Sequence, residues 1–275
     1  MMLNENFRVQ RLLDVEYRFG GQPINSPLQA RVTADRPLGV FVGHDRREEV
    51  AVEVCMQSIA ETTTIPTVCY PLVMAELRQL GLYDRKVAPG PGGTRIDAID
   101  GRPFSTDFSF SRFLVPALGI AGHSHDLAIF MDCDMLVTRS FKELLGYLDL
   151  SKAVSVVQHD HAVQDNSTKM DGQIQQAYQR KNWSSFMVFN LRHIALRALT
   201  PAYVNKARGS TLHQFDWLAD DEIGWLPPEW NHLVGYTRPA VIHYTEGGPW
   251  FPDYQDVPWA REWLACRERL EQERD

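Results

Sequence analysis

The residues best placed to do chemistry are two aspartates, Asp132 and Asp134, near the end of the run Asp126-Leu-Ala-Ile-Phe-Met-Asp-Cys-Asp-Met-Leu-Val137. Two carboxylates that close repel each other unless a positive charge lies between them, and a divalent cation is the usual one. The pattern alone is weak. In a chain this rich in aspartate about one Asp-x-Asp arises by chance, and two solvated carboxylates in a turn would look the same. Its context strengthens it. Leu127 to Phe130 are apolar without a break and run into Met131, as in a strand buried on both faces in the middle of a parallel sheet. The Asp-x-Asp then falls at the strand's C-terminal edge, where open α/β sheets hold ligands.

Other groups suit the same edge. Leu38-Gly-Val-Phe-Val-Gly-His-Asp45 is a short apolar strand closing on Asp45. That carboxylate could bond a ribose or base edge, or simply complement the dipole of a following helix. Arg112 is a cation inside the aromatic run Phe104 to Pro116. A buried guanidinium needs an anion, and a phosphate, Asp132 or the nearby Asp107 would serve. His243 lies in a last strand, Ala240 to Tyr244, just ahead of Gly247 and Gly248. A lone strand histidine is usually a satisfied core residue. The paired glycines after it, whose N–H groups can approach an anion, turn the reading towards a ligand. Asp220, Asp221 and Glu222 sit among Trp217, Trp225 and Trp230. Acids on an aromatic background suit a sugar, with polar groups for hydroxyls and flat faces for the ring; a solvated acid cluster is the plainer alternative. His159 and His161 read as a polar loop contacting substrate rather than as metal ligands.

Pattern also supplies the elements that would position these residues. Glu48 to Ala60 is an amphipathic helix, so strand, Gly-containing turn and helix open a βαβ unit. Thr67 to Leu72 reads as a strand, Val73 to Leu80 as a short helix, and the Gly- and Pro-rich Gly81 to Pro103 as a long surface loop. Phe104 to Pro116 reads as a helix entering the central strand. Ser140-Phe-Lys-Glu143 matches a capping box ahead of a helix to Leu148. Ala153 to Gln158 and Ser184 to Asn190 are further buried strands, and Thr200-Pro201 is a helix start. Pro258 to Arg274 is a charged helix with Trp259, Trp263, Leu264 and Leu270 turned inward. The expected organisation is an extension over residues 1–36, a core domain over 37–257, and a C-terminal helix over 258–275 packed on it. The extension is assigned to homo-oligomer contact or to packing on the back of the domain.

Composition narrows the function. The chain has 275 residues, 44% hydrophobic, ample for one large α/β domain. Net charge is −7 and no basic stripe appears, which argues against nucleic acid as a partner. Four scattered cysteines with no C-x-x-C pair suggest reduced thiols rather than disulfides or a zinc site. The first residues lack the apolar core of a signal peptide, and no window approaches eighteen apolar residues, so no transmembrane segment is expected. The expected location is the cytoplasm, with room for a peripheral position at the inner face of the membrane.

With these segments assembled, the chain resembles the GT-A glycosyltransferases, and within them glycosyltransferase family 8, the group containing glycogenin and bacterial lipopolysaccharide glycosyltransferases. Four stretches carry the resemblance in the family's order: Val40 to Ile59, Ser109 to Val137, Ser184 to Asn190, and His243 to Trp250. The resemblance implies a Rossmann-like, mainly parallel sheet flanked by helices. It implies a metal site for Mn2+ or Mg2+ made by Asp132, Asp134 and His243, holding the diphosphate of a nucleotide sugar such as UDP-glucose or UDP-galactose. It also implies transfer of a hexose, with retention, to a hydroxyl of a carbohydrate, lipid-linked or small-molecule acceptor. Arg112 matches a donor-contacting position, and Asp221, then Asp220, align loosely with acids near the reacting carbon. The family's usual His-x-x-Gly-x-x-Lys-Pro-Trp reads here His243-Tyr-Thr-Glu-Gly-Gly-Pro-Trp250, one residue shorter and without the lysine. The amides of Gly247 and Gly248, or Arg112, are expected to take the lysine's part.

Two other enzyme classes also fit parts of this pattern. A haloacid-dehalogenase-type phosphohydrolase places an Asp-x-Asp after a buried strand, but on its first strand and with Thr or Val where this chain has Leu136. A sugar nucleotidyltransferase wants a basic, Gly-rich first loop that Gly43-His44-Asp45 does not supply. A degenerate GT-A domain serving only to bind is the non-enzymatic alternative.

Overall fold

A computed structural model describes residues 17–19, 31–122, 125–159, 168–169, 173–174, 180, 182–233 and 238–274. His161 and most of the N-terminal extension lie outside them. A short strand β1 (Tyr17–Phe19) precedes the core, which opens with β2 (Leu38–Gly43), helix α1 (Glu49–Thr62), β3 (Thr67–Leu72) and helix α2 (Met74–Gln79). Three short strands follow, β4 (Val87–Pro89), β5 (Arg95–Asp97) and β6 (Pro103–Phe104). A 3-10 turn at Ser111–Leu114 leads into α3 (Val115–Ala121), the central strand β7 (Leu127–Met131) and β8 (Met135–Val137). Then come α4 (Phe141–Leu144), β9 (Val154–Val156), the small hairpin β10 (Thr168–Lys169) and β11 (Gln173–Ile174), and β12 (Phe186–Asn190). The chain closes with α5 (Pro201–Val204), α6 (Gly209–His213), β13 (Ile223–Trp225), β14 (Val241–His243) and α7 (Ala260–Gln272).

The main sheet has the order β1-β3-β2-β7-β12-β9-β13. Strands β3, β2 and β7 are parallel. Strand β12 runs against both its neighbours, β13 lies parallel to β9, and β1 is antiparallel on the β3 edge. Five of the seven strands therefore share one direction. Every residue of β2, β7 and β12 is buried, which is why they read as unbroken apolar runs. Strands β8 and β14 pair apart from this sheet, antiparallel, with His243 opposite Met135. Their outer face joins α1 and α7 in a second small core of Val54, Leu136, Ile242, Tyr244, Trp263 and Cys266.

Several expectations need correction. Residues 81–103 are not a plain loop but carry β4 and β5 and run into β6, an antiparallel sheet. Its strands are two or three residues long and include Pro89 and Pro103, so no alternation could show. Gly92 and Gly93 make the turn at φ of 62° and 81°, a region that suits glycine. Residues 104–110 are not helical; the helix starts only after Phe110. Ser140 does cap α4, accepting from the Lys142 amide, but Glu143 turns to Arg139 instead of closing a capping box. Leu264 faces solvent and Cys266 takes its inward place beside Trp263, as a helical step of about 100° requires.

Candidate metal centre

Asp132, Cys133 and Asp134 form the crossing between the two sheets. Strand β7 ends at Met131 in the main sheet, and β8 begins at Met135 in the small one. The backbone is pinned on both sides of the crossing. The Asp132 amide donates to the Ser185 carbonyl at 3.0 Å, and the Asp134 carbonyl accepts from the Tyr244 amide at 2.9 Å. His243, the last residue of β14, is thereby carried to the aspartates. One ligand atom from each of Asp132, Asp134 and His243 lies within 4.8 Å of the others. His243 Nε2 stands 3.2 Å from Asp134 Oδ1. Two carboxylate oxygens and one imidazole nitrogen, all buried, are a donor set that could hold a divalent cation.

Arg112 reaches this centre from the turn before α3. Its Nη1 lies 2.9 Å from Asp132 Oδ1 and donates to the Ser184 carbonyl at 2.8 Å. The guanidinium sits over the rings of Phe108 and Phe130. Of the anions considered from sequence, the protein partner is therefore Asp132. Asp107 is engaged by Arg95 and Arg46 instead. Behind Arg112, Ser184 Oγ is 2.8 Å from His213 Nδ1. Burial, with the Arg112 and Arg85 cations nearby, pushes His213 down to about 3, so its ring is neutral over the ordinary pH range.

Asp45 lies at the same edge, with its oxygens in use. It accepts from the Arg47 guanidinium at 2.8 and 3.0 Å and from the Asp107 amide at 3.0 Å. Burial alone would raise its carboxyl, but the Arg47 side chain and the surrounding amides outweigh that and hold it below the ordinary value. Glu48 is a site residue that the sequence did not reveal, because it reads as the first charge of a helix. It is buried and accepts from the Cys133 thiol at 3.5 Å. Burial, then the neighbouring Asp134 and Asp45 charges, push it up to about 8. Asn231 is a second such residue: wholly buried, it lies 2.9 Å from His243 Nδ1.

Other sequence candidates stand elsewhere. Asp220 and Asp221 are exposed and precede Ile223. Ile223 is level with Val154, at the sheet edge opposite the one where Met131 leads into Asp132. Asp220 pairs with Arg180 at 2.5 Å, and the Asp221 carbonyl accepts from Lys152 at 2.8 Å. Gly247 and Gly248 follow His243 in a tight turn, and the Gly247 amide donates to the Tyr244 carbonyl at 3.1 Å. A Cβ on Gly248 would lie 1.9 Å from the Trp250 ring, so this glycine is required by packing. Trp230 is core, whereas Trp225 is 56% exposed at the metal-side end of β13.

Over 247 residues the chain is 40% identical to Protein CDI of Arabidopsis thaliana, covering 86% of this chain and 89% of that protein. The chain belongs to the family of Protein CDI. No family model matches it. Among solved structures, the glycosyltransferase GlyE of Streptococcus pneumoniae TIGR4 superimposes with a TM-score of 0.52 at 13% identity, over 86% of this chain and 63% of that one. The galactosyltransferase LgtC, crystallised with donor and acceptor sugar analogues, gives a TM-score of 0.47 at 14% identity, over 84% and 96%. The bifunctional WbbM gives 0.48 at 17%, over 84% of this chain and 52% of that one. This CDI-family chain thus spans less than two thirds of GlyE and about half of WbbM. Its fold is the GT-A type: a mixed sheet of mostly codirectional strands, flanked by helices, with the Asp-x-Asp at the C-terminal edge of a central strand. Among the described residues no helix is long and apolar enough to cross a membrane.

Proposed function

We propose that this CDI-family protein is a metal-dependent glycosyltransferase of the family 8 kind. It would move a hexose from a nucleotide diphospho-sugar, UDP-glucose or UDP-galactose, to an acceptor hydroxyl with retention at the anomeric carbon. The convergence of Asp132, Asp134 and His243 at the sheet edge carries the reading. Asp132, Asp134 and His243 would hold Mn2+ or Mg2+, which would supply positive charge to stabilise a diphosphate leaving group. The chain's own residues do the rest. The Asp132 and Asp134 carboxylates share one crossing, so their spacing is set by backbone hydrogen bonds to two separate sheets. Arg112 holds Asp132 from behind and adds a fixed cation on the donor side. Gly247 and Gly248 leave room for the Tyr254 and Trp250 rings, which fixes the turn directly after His243. Trp225, exposed on the metal-side end of β13, offers a flat face to a carbohydrate acceptor. Asp220 and Asp221 carry no step, given their place at the opposite edge. Residues 37–257 would form the catalytic domain, with 258–275 packed upon it.

The test is thermal melting of the purified protein against nucleoside diphosphates and diphospho-sugars, each with and without Mn2+. A ligand that binds only the folded state raises the melting temperature, so a rise with one nucleotide that requires Mn2+ is expected. A rise only with phosphomonoesters and Mg2+ would sink the proposal in favour of phosphohydrolase chemistry.

A further inference from the structure

We propose that Asn231 is a positioning residue that fixes which nitrogen of His243 faces the aspartates, and that the turn at 182–185 ties this control to Asp132. The inference rests on the metal reading above. The Asn231 amide nitrogen lies 2.9 Å from Ser185 Oγ and 3.2 Å from the Asn182 carbonyl. Ser185 Oγ donates its own proton to the Asn182 carbonyl at 2.7 Å, so towards Asn231 the hydroxyl acts as acceptor. Both neighbours on this side accept, and the side-chain NH2 must face them. Oδ1 is then the atom 2.9 Å from His243 Nδ1. An oxygen that only accepts requires the proton on Nδ1. In the neutral ring the lone pair consequently lies on Nε2, the atom 3.2 Å from Asp134 Oδ1. The other tautomer would place an N–H against Asp134 and close the centre with an internal hydrogen bond.

Asparagine is the residue this position needs. It accepts on one side and donates twice on the other, without adding a further negative charge beside two carboxylates. The turn it grips also serves the other ligands. Asn182 opens the turn at φ 64°, which asparagine tolerates. Ser185 holds the Asp132 amide and Ser184 holds Arg112 through their carbonyls. One turn therefore sets the backbone of one ligand, the cation beside it, and, through Asn231, the orientation of a ligand on the other sheet.

The experiment uses the metal-free protein with 15N-labelled histidine, long-range proton–nitrogen NMR to locate the ring proton, and Mn2+ titration calorimetry. Wild type should carry the His243 proton on Nδ1. Asn231→Leu should lose that preference and bind Mn2+ about 10–100-fold more weakly, as loss of a partner to a metal-bound histidine does. Asn231→Asp keeps the acceptor towards Nδ1 but gives up both donors to the 182–185 turn, so it should keep the tautomer and bind Mn2+ more tightly than Asn231→Leu, though less tightly than wild type. A merely structural asparagine would show neither the tautomer change nor the rescue. A neutral His243 ring protonated on Nε2 in wild type, or undiminished Mn2+ affinity in folded Asn231→Leu, overturns the positioning role alone. Wild type that takes up no Mn2+ overturns the metal reading itself. If Asn231→Leu fails to fold, the wild-type tautomer and Asn231→Asp still decide.

Discussion

Among the described residues two arginine–aspartate pairs are buried on both sides, and they are built differently. In the first, Arg85 Nε and Nη2 grip both oxygens of Asp97 at 2.8 and 2.7 Å, and Nη1 donates to the carbonyls of Val204 and Ala207. The Phe110 ring covers the guanidinium at 4.0 Å. Every nitrogen is in use, and the pair clamps the β4–β6 sheet to the segment after α5. In the second, Arg112 offers Asp132 a single nitrogen, shared with the Ser184 carbonyl, and its Nε makes only a long 3.4 Å contact to the Phe108 carbonyl. Asp132 also lies within 4.8 Å, ligand atom to ligand atom, of Asp134 and His243. A two-point pair with saturated donors is a structural clamp. A one-point pair beside a second carboxylate is the arrangement that the proposed metal reading calls for.

The largest effect should come from breaking the clamp. Arg85→Met leaves Asp97 buried without its cation and should cost about 3–5 kcal/mol of folding stability, read by urea denaturation. Mn2+ affinity of the folded fraction should stay unchanged. Breaking the other region should do the reverse. Asp134→Ala should lower nucleotide-sugar turnover by about 10²–10³-fold and leave the metal-free melting temperature equal or higher, because a carboxylate repulsion is removed. Full turnover in that variant would end the metal assignment.

Acidity sharpens the contrast further. Glu48 has a folded pKa of about 8 against an ordinary value of 4.5. Between those values the folded state holds a proton that the unfolded state has released, so stability of the metal-free protein should fall as pH rises through this window. Glu48→Gln should flatten that slope and be the more stable protein at pH 8, by an amount on the order of a few kcal/mol. The smallest effect belongs to a pair in solvent. Arg269, 2.7 Å from Glu61, should cost less than about 1 kcal/mol when changed to alanine.

The strands buried on both faces were legible because burial writes itself as an unbroken apolar run, as at Leu38–Gly43, Leu127–Met131 and Phe186–Asn190. The metal candidates were legible because Asp132 and Asp134 end such a strand and His243 precedes paired glycines. What stayed hidden is polar and non-local. The β4–β6 sheet is held by one buried ion pair rather than by alternation, and its partners Arg85 and Asp97 look like surface charges in sequence. Asn231 meets His243 because its neighbour His232 bridges by backbone to Ile242 in β14, a pairing that leaves no local signature. Glu48 is buried because α1 starts against the crossing that carries Cys133, a proximity no local pattern encodes. Asp220 and Asp221 show the converse limit: acids among tryptophans look like a sugar site in sequence, and only strand direction shows which edge they occupy.

The small β8–β14 sheet has a consequence for how the molecule breathes. Strand β14 pairs with β8 alone among the named strands and bridges to His232, and while Val241 packs in the main core, Ile242 shares with α7 a smaller core of its own. Such a segment is a natural unit of local opening, exchanging its amides without global unfolding. A cation bound by Asp132 at the end of one sheet and His243 at the end of the other would act as a rivet across that seam. Occupancy would then be written as amide protection along Val241–His243 and Ala260–Gln272, extending well beyond the ion's own ligands.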